Sequence, residues 1–540
     1  MTIKNTRRQI IYPIFAVLVL LAGLFIGRAL TLRSMDPSGK HLTIYPQTNK
    51  LDALIGLITE DYVDTIDKNK LIEAVIPEIL KHLDPHTVYI PAKELEEVNQ
   101  ELEGNFGGIG VQFSIQSDTV MVVSIISGGP SEKLGVLPGD RIVSVNDTSV
   151  AGIKITNNQV MSKLRGEMGT KVKVSIIRRN ANKPIDFLIT RGIIPVYSVD
   201  VSYMVTPDIG FIKINRFAKN TYDEFITALA KLKSNGCEKV IIDLRGNSGG
   251  FLDVAFNMIN EFLQNKELIV YTVGKANPRQ DMLANGTGSC QKTQVVVLID
   301  EFSASASEIF AGAIQDNDRG IIIGRRSFGK GLVQQQIPLP DGSAIRLTIA
   351  RYYTPSGRCI QKSYSNGNDD YYEDIMKRYQ HGEFFEKDSI HNADTIQYKT
   401  TKGRIVYGGG GIMPDLFIPR DTTRFTEYFY QLREKGALYQ FALEYADKHR
   451  ESLQKITTYT GFETELAKID LAAQLIAYAE KAGVKYNAGQ YNTSKMLINN
   501  EVKAYIARNF IDNDGFYPIL FREDEMINAA IKKLDEGINF

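Results

Sequence analysis

Apolar residues recur along this chain with different periods, and the changes of period divide it into segments. Between residues 48 and 103 they return every three or four positions, which predicts a helical N-terminal segment. The first such stripe consists of Leu51, Leu54, Ile55 and Ile58. From residue 104 to residue 191 the period becomes that of strands separated by glycine turns, which predicts a compact β domain.

Beyond residue 195 strands and helices alternate, which predicts a sheet covered by helices over residues 195–420. Two turns, 246–250 and 303–307, follow buried strands at their carboxyl ends, where such folds place their sites. Residues 363–400 break the pattern and predict a polar, partly mobile insertion. Residues 421–540 predict a helical C-terminal extension. The fold class is therefore α/β, with several domains in a chain of 540 residues.

An uncharged, apolar stretch near the N-terminus predicts a membrane anchor over residues 1–34. Residues 9–27 lie between Arg8 and Arg28 and match the length of a bilayer-spanning helix. A cleaved signal peptide is the alternative, but no small-residue cleavage site follows the apolar run. The order of basic and apolar elements predicts an inner-membrane protein with a single span and a body on the periplasmic or exported side.

Charge and cysteine content narrow the function classes. The chain has 63 Lys and Arg against 63 Asp and Glu, so no net positive charge recruits nucleic acid. The three cysteines fit either three free thiols or one disulfide with one free thiol. His82 and His86 flank Asp84, but Pro85 disfavours the helical turn that would bring both rings to one side. We expect no metal and no organic cofactor.

The strongest chemical signal is the pair Ser305 and Lys330. Ser305 lies in a run of small residues before an apolar helix, and Lys330 lies between two glycines. A serine hydroxyl attacks only when a base accepts its proton, and no histidine occurs between residues 201 and 360. A desolvated lysine can act as that base, because burial disfavours its charged form. The pair therefore predicts a serine peptidase that works without histidine.

Acyl transfer also needs backbone donors for the developing oxyanion. The candidates are the amide of Ala306, at the start of the helix, and an amide of Gly249 or Gly250. Arg245, at the end of a buried strand, is predicted to be an ion-pair partner that shapes this turn. The neighbouring polar side chains are predicted to be structural rather than catalytic: Ser303, Ser307, Glu308 and Asp316.

The β domain resembles a PDZ domain, on a glycine loop and a Leu-Pro-Gly-Asp-Arg-Ile turn in the expected order. The resemblance implies that a free peptide carboxylate would bind the amides of this loop, and that the following strand would pair with an incoming tail. The residues that it assigns to tail binding are Gly107, Gly108, Ile109, Gly110 and Val111.

Residues 50–420 resemble the carboxyl-terminal processing peptidases, also called tail-specific proteases. The motifs that carry this resemblance are residues 83–87, the PDZ segment, and residues 243–250, 303–308, 328–331, 353–358 and 410–415. The resemblance assigns the nucleophile to Ser305, the general base to Lys330, 25 positions later, and the lysine-orienting glutamine to Gln334. One departure is Ser248, where many members have proline, which implies a turn of different stiffness with retained function.

These observations predict a serine endopeptidase that cleaves exported proteins selected by their free, apolar C-terminal tails. A catalytically silent PDZ scaffold of the cell envelope is the alternative, which predicts tail binding without turnover. An acyl-thioester enzyme is a third hypothesis, because glycine-turn oxyanion holes also serve that chemistry. The physiological substrate, the formation of a homo-oligomer and the role of residues 421–540 stay open at this point.

Overall fold

The computed structural model describes residues 19, 21–24, 49–116, 118–126, 128–178, 181, 183–390, 396–538 and 540. The chain divides into two compact units, residues 1–78 and residues 79–540. In the first unit, residue 19 and residues 21–24 are helical, and helix α1 covers Lys50–Asp61. Helix α2 covers Lys68–Leu80. Among the described residues no helix has the length and apolar character to cross a bilayer, and most of the predicted anchor lies outside them.

A six-stranded sheet lies at the centre of the second unit. Its strands, in spatial order, are β10 (Val199–Met204), β11 (Ile209–Ile214), β12 (Lys239–Asp243), β15 (Gln294–Ile299), β16 (Ile321–Gly324) and β21 (Leu416–Phe417). The first pair is antiparallel and all the others are parallel. The inner strands consist mainly of Val, Ile and Leu because both faces of a parallel sheet are buried.

Helices cover both faces of this central sheet. Three of them pack on one face, against Ile212, Val240 and Ile242. They are α6 (Thr221–Ser234), α7 (Leu252–Asn260) and α8 (Ala306–Asp316). The opposite face, with Phe211 and Ile241, packs against the last helix of the chain, α16 (Glu525–Glu536). The C-terminal extension therefore completes the core of the central sheet.

A second, antiparallel sheet carries the β-ribbon that follows Lys330. Its strands are β1 (Val88–Ile90), β13 (Leu268–Val273), β14 (Gln280–Leu283), β17 (Leu332–Pro338) and β18 (Ala344–Tyr353). In the pairing of β17 with β18, Gln334 lies opposite Thr348 and Gln336 lies opposite Arg346. The first strand pairs with β18 as well and leads into helix α3 (Ala92–Glu103). This sheet brings the segment around residues 84–90 to the ribbon.

The predicted β domain forms its own sheet around a separate apolar core. Its elements are β2 (Asn105–Gly108), β3 (Val111–Gln116), β4 (Thr119–Ile125), α4 (Pro130–Lys133), β5 (Arg141–Val145), β6 (Thr148–Ser149), α5 (Asn157–Leu164), β7 (Lys171–Ile177), β8 (Ile185–Thr190) and β9 (Gly192–Pro195). The main sheet has the order β3, β4, β5, β7, β8, so β3 is an edge strand. A peptide could add to this edge through its backbone.

The C-terminal extension is helical, as predicted. Its helices before α16 are α10 (Glu427–Glu434), α11 (Ala437–Lys448), α12 (Arg450–Leu453), α13 (Tyr459–Ala467), α14 (Leu471–Lys481) and α15 (Ala488–Leu520). They enclose an apolar core of their own, and α15 is kinked at Ile511 and Asp512, which have non-helical dihedral angles. On the β domain, a side chain added at Gly139 would meet the Asp447 carboxylate of α11 at 2.7 Å.

The insertion at residues 363–400, predicted as a polar, partly mobile segment, has regular structure in its described part. It contains helix α9 (Asn368–Gln380), strand β19 (Gln397–Lys399), which pairs with β20 (Ile405–Tyr407), and a short 3₁₀ helix, Lys387–Ser389. Tyr371 of α9 is only 1% exposed, and Arg378 donates to the carbonyl oxygens of Arg326 and Ser327. The rest of α9 is exposed or half-buried, which agrees with the polar composition, and the mobility of the segment stays a prediction.

Candidate active site

Ser305 lies at the end of the connection between β15 and α8. It directly precedes the helix and adopts φ +56° and ψ −113°, a conformation that non-glycine residues rarely adopt. The Ser305 amide donates to the Glu308 carboxylate at 2.9 Å. The flanking hydroxyls are occupied, since Ser303 donates to the carbonyl of Leu244 and Ser307 to that of Asn247. Ser305 is therefore the serine of this run that lines the adjacent cavity.

Glu308 connects the segment of Ser305 to that of Lys330. Its carboxylate is fully buried, and the same oxygen accepts from the amides of Ser305, at 2.9 Å, and Lys330, at 2.8 Å. Its second oxygen accepts from the Ser327 hydroxyl and the Gly329 amide. Burial raises the pKa of Glu308, and these four donors act in the opposite direction. The carboxylate fixes the two backbone segments side by side.

The Tyr352 hydroxyl forms a second link between the same two segments. It lies 3.2 Å from the Ser305 carbonyl oxygen and 2.8 Å from the Lys330 carbonyl oxygen. The tyrosine is buried on β18, and its burial raises its pKa well above the ordinary value, so it stays protonated and can donate. The backbones of Ser305 and Lys330 are thus held together at their amides and at their carbonyls.

The Lys330 amine has the environment expected of a base. Burial lowers its pKa to about 8, and the positive charge of Arg346 lowers it further, while Asp84 and Glu308 act in the opposite direction. The Nζ atom donates to Gln334 Oε1 at 3.0 Å. A substantial fraction of this amine is neutral near pH 8, which is the form that accepts a proton.

Gln334 is oriented by a residue far away in the sequence. Its Nε2 donates to the carbonyl oxygen of His86, which leaves Oε1 directed at Lys330. Asp84 holds the segment that carries this carbonyl, because its carboxylate accepts from the amides of His86 and Thr87. Residues 83–87 are among the motifs that carry the resemblance, and the structure shows that this segment contacts the site through the His86 carbonyl and the pairing of β1 with β18.

The His86 ring has no metal-binding arrangement. Its Nε2 lies 2.8 Å from the Tyr371 hydroxyl, and His82 is exposed. Burial and the charge of Lys330 lower the pKa of His86 to about 4, although Asp84 acts against them, so the ring is neutral at neutral pH. Within the described ranges no group of three or more His, Cys, Asp or Glu residues is placed to hold a metal ion. All three cysteines are free thiols.

The turn at residues 246–250, here called the oxyanion turn, packs directly against the nucleophile segment. A side chain added at Gly249 would come within 2.8 Å of Ser305 Cβ and 3.0 Å of the Ala306 nitrogen, so only glycine permits this approach. The Gly249 amide already donates to Asn247 Oδ1 at 2.8 Å. Among the described residues the amides of Gly250 and Ala306 have no backbone acceptor, so both are candidate donors for an oxyanion.

A cavity of about 940 Å³ lies between the nucleophile segment, the oxyanion turn and the β17–β18 ribbon. It is lined by Ser305, Lys330, Gln334, both glycines of the turn and Arg346, with apolar walls from Leu252, Ile309, Leu332 and Tyr352. Asp316 lies at the opposite end of α8, where it forms a fully buried ion pair with Arg358 at 2.8 Å. The cavity thus combines the Ser305 hydroxyl, the Lys330 amine, backbone amides and an apolar surface, which together suit acyl transfer on a peptide.

The predicted tail-binding loop is shorter than the glycine run suggested. Gly107 and Gly108 lie in β2 and pair with Ile193 and Gly192 of β9, so the turn itself comprises Ile109 and Gly110. The glycines are required by packing, because a side chain at Gly107 would collide with the Gly166 carbonyl oxygen. Val111 then begins the edge strand β3.

Comparison with known proteins agrees with this organisation. Residues 208–368 match the family described as Peptidase family S41, residues 107–188 match the PDZ domain, and residues 428–512 match a family of unknown function. The "Carboxy-terminal-processing protease" of Bartonella bacilliformis is 35% identical over 350 residues, 64% of this chain and 80% of the relative. "Carboxy-terminal processing protease CtpB" of Bacillus subtilis is 33% identical over 317 residues, 58% of this chain and 65% of the relative.

A solved structure of the "photosystem II D1 C-terminal processing protease" is 28% identical and covers 56% of this chain and 87% of its own, with a TM-score of 0.32. The α/β fold, the PDZ match and the 35% identity to a relative covered over 80% of its length agree with the resemblance seen in the motifs. The chain belongs to peptidase family S41 and is a serine endopeptidase of the carboxy-terminal processing type.

Proposed function

We propose that this chain hydrolyses peptide bonds with a Ser305 nucleophile and a Lys330 base, and that it selects substrates by their free C-terminal tails. One observation carries the catalytic part: a single buried Glu308 oxygen binds the amides of both residues, and their side chains line one cavity. The pKa of about 8 and the bond to Gln334 support Lys330 as the base. Apolar cavity walls favour an apolar side chain beside the scissile bond.

In the proposed reaction the Ser305 oxygen attacks the substrate carbonyl while its proton passes to the neutral Lys330 amine. The negative charge that develops on the carbonyl oxygen accepts hydrogen bonds from the amides of Ala306 and Gly250. The C–N bond then breaks, and the Lys330 ammonium gives its proton to the leaving amine. A water molecule, deprotonated by Lys330, hydrolyses the acyl-enzyme through the same oxyanion site and restores the serine.

Tail selection would rest on the PDZ domain. Strand β3 is free to pair along its outer edge, and the turn before it presents the amides of the Ile109 to Val111 segment to a terminal carboxylate. A bound tail would bring the preceding part of the substrate towards the cavity. The substrate class is therefore an unstructured polypeptide with a free, apolar C-terminus.

The catalytic proposal is tested by comparing the wild type with Ser305→Ala and Lys330→Ala on such a substrate. We expect turnover to fall by at least about 10³-fold in each variant, because residues that act as a unit fail together. Tail binding should persist in both. Undiminished turnover in either variant would contradict the mechanism. If the wild type bound tails but cleaved nothing, the protein would be a scaffold rather than an enzyme.

The tail proposal is tested with one substrate in two forms, with a free and with an amidated C-terminus. We expect the amidated form to have a higher KM, because it lacks the carboxylate that the loop amides bind. Equal kcat/KM for the two forms would exclude selection by the free carboxylate while leaving the Ser/Lys mechanism intact.

We also propose that residues 1–34 anchor the protein in the inner membrane with its body on the exported side. The uncharged stretch at residues 9–27 supports this proposal. Fractionation of cells, with protease added to intact spheroplasts, checks it. A full-length chain recovered in the soluble fraction, or one protected from the protease, would contradict it.

A further inference from the structure

Asp524, in the link between α15 and α16, connects the C-terminal extension to the region of the active site. One oxygen of its carboxylate accepts from the amides of Met526 and Ile527, each at 3.0 Å, and caps α16. Its other oxygen binds the Arg245 guanidinium at 2.7 Å. The same carboxylate therefore caps α16, which covers the central sheet, and also binds Arg245 of the peptidase core.

Arg245 is held from several directions. Its guanidinium binds both carboxylate oxygens of Asp243, at 2.9 Å and 2.7 Å, and lies 5.3 Å from the ring centre of Phe521. Its amide also donates to Asp243, and its carbonyl accepts from Lys213. The side chain is only 14% exposed. Planar bidentate pairing of this kind fixes orientation as well as distance.

Four charges meet at this point and balance one another. Asp243 is fully buried and faces two cations, Arg245 and Lys213, the latter at 3.6 Å. Asp524 supplies the second negative charge. In a poorly solvated cluster each cation needs its partner, because an uncompensated buried charge is costly and moves towards solvent. Loss of the Asp524 charge should therefore shift the Arg245 side chain.

Arg245 immediately precedes the oxyanion turn, which is joined to the nucleophile segment through Asn247. The Asn247 carbonyl accepts from the Ala304 amide, at 3.0 Å, and from the Ser307 hydroxyl, at 2.9 Å. The next contact after Arg245 is the bond from the Gly246 amide to Asp300 at 2.9 Å. A shift of Arg245 would therefore also move the adjoining oxyanion turn, which contributes the Gly250 amide as a proposed oxyanion donor.

We propose that Asp524 is a positioning residue of the peptidase: by holding Arg245, the C-terminal extension sets the geometry of the oxyanion turn. This inference rests on the proposed Ser305 mechanism, because the turn matters to the rate only if an oxyanion forms there. It assigns a part in catalysis to the extension, whose residues 428–512 match a family of unknown function.

A purely structural reading holds that Asp524 only fastens the extension to the core. The chain offers a matched control, because a second ion pair joins the same helix and the same strand at their opposite ends. Asp535 of α16 lies 3.4 Å from Lys239, the first residue of β12, whereas Asp524, the N-cap of α16, binds Arg245, two residues beyond the end of β12. Both pairs fasten the extension, and only the Asp524 pair adjoins the oxyanion turn.

The experiment compares Asp524→Asn with Asp535→Asn in the full chain, on an unstructured protein with a free apolar tail. Asparagine is as good a helix cap as aspartate, so Asp524→Asn keeps the start of α16 and removes only the charge. We expect kcat to fall about tenfold with KM within about twofold, because a small misplacement of a catalytic donor has effects of this order or larger. Asp535→Asn should keep the wild-type kcat.

Equal kcat values for the two variants, whether unchanged or equally reduced, would overturn the inference, since only the Asp524 pair adjoins the oxyanion turn. If Asp524→Asn does not fold, Asp524→Ser, which also caps a helix without a charge, is measured in its place. Ser305→Ala is assayed in parallel. Retained activity in that variant would refute the proposed mechanism itself, whatever the comparison of Asp524 with Asp535 gives.

Discussion

Ser305 has an unfavourable backbone conformation, and contacts with neighbouring residues hold it in place. A non-glycine residue at φ +56° costs about 1–3 kcal/mol, and it persists only where neighbouring contacts determine it. Here the Glu308 carboxylate, the Tyr352 hydroxyl and the tight approach of Gly249 provide those contacts. The sequence predicted Ser305, Lys330 and Gln334 as the nucleophile, the base and the orienting glutamine, and these roles are part of the proposed mechanism. It predicted Glu308 as structural and could not show which donors it binds.

The lysine environment predicts the pH dependence of the reaction. Only the neutral amine accepts a proton, so kcat/KM should rise with pH, with an apparent pKa of about 8, and then level off. The positive charge of Arg346 disfavours the ammonium form of Lys330 and lowers its pKa. Arg346→Gln should therefore raise the pKa of Lys330 and move the rise in kcat/KM to higher pH.

Arg351→Gln is the matched control for this shift. Arg351 lies on the same strand, β18, but is exposed and bonded to the Tyr364 hydroxyl. Its variant should leave the pH profile of kcat/KM unchanged. A profile of Arg346→Gln that coincides with the wild type, or one that moves to lower pH, would contradict the assignment of this limb to Lys330.

At the scale of elements, the chain formed most of the helices and strands that the periodicity predicts. Composition alone did not predict which residues of the less regular segments are paired or buried. The tyrosine-rich insertion contains helix α9, whose Tyr371 and Arg378 are buried, and Gly107 and Gly108 belong to strand β2. The local sequence predicts neither result. The burial of Tyr371, for example, depends on residues near position 86.

The turn before β3 gives a prediction at this scale. Gly110 has φ +79°, and a Cβ there would lie 3.2 Å from Ile194 Cδ1 and 3.3 Å from Gly129 Cα. Gly110→Ala should cost about 1–2 kcal/mol from the left-handed backbone and distort the turn. We expect a raised KM for substrates with a free apolar tail, measured by steady-state cleavage.

Gly152→Ala carries the same kind of strain at φ +72° without any atom within 4 Å of the added carbon. It should lower stability by a similar amount and leave KM unchanged. If both variants raised KM equally, general loosening of the β domain would explain the effect, and the turn would have no special part in tail binding.

At the scale of the whole molecule, the C-terminal extension is part of the peptidase core. Helix α16 supplies Met526, Ile527, Ala530 and Leu534 to the face of the central sheet opposite α6–α8. A sheet of buried parallel strands requires cover on both faces. The extension also provides Asp524 next to Arg245, so stability and the geometry of the site depend on the same segment.

Leu534→Ala tests this dependence, since Leu534 is 1% exposed. The change should lower the free energy of unfolding of the second unit by about 2–5 kcal/mol, the usual cost of a large cavity in a core. Leu283→Ala, at a residue 46% exposed, should change it by less than about 0.5 kcal/mol. Denaturant unfolding of both variants measures the difference, and equal stability would mean that α16 is not a core helix.

The sequence by itself determined the order of elements, the α/β class, the PDZ resemblance and the candidate nucleophile, base and turn, because period, glycine placement and motif spacing act over a few residues. Only the tertiary structure decided which groups hold these residues. Gln334 is fixed by a carbonyl 248 positions away, and Arg245 by a carboxylate 279 positions away. Such partners are chosen by the packing of whole sheets and helices, which no local pattern records.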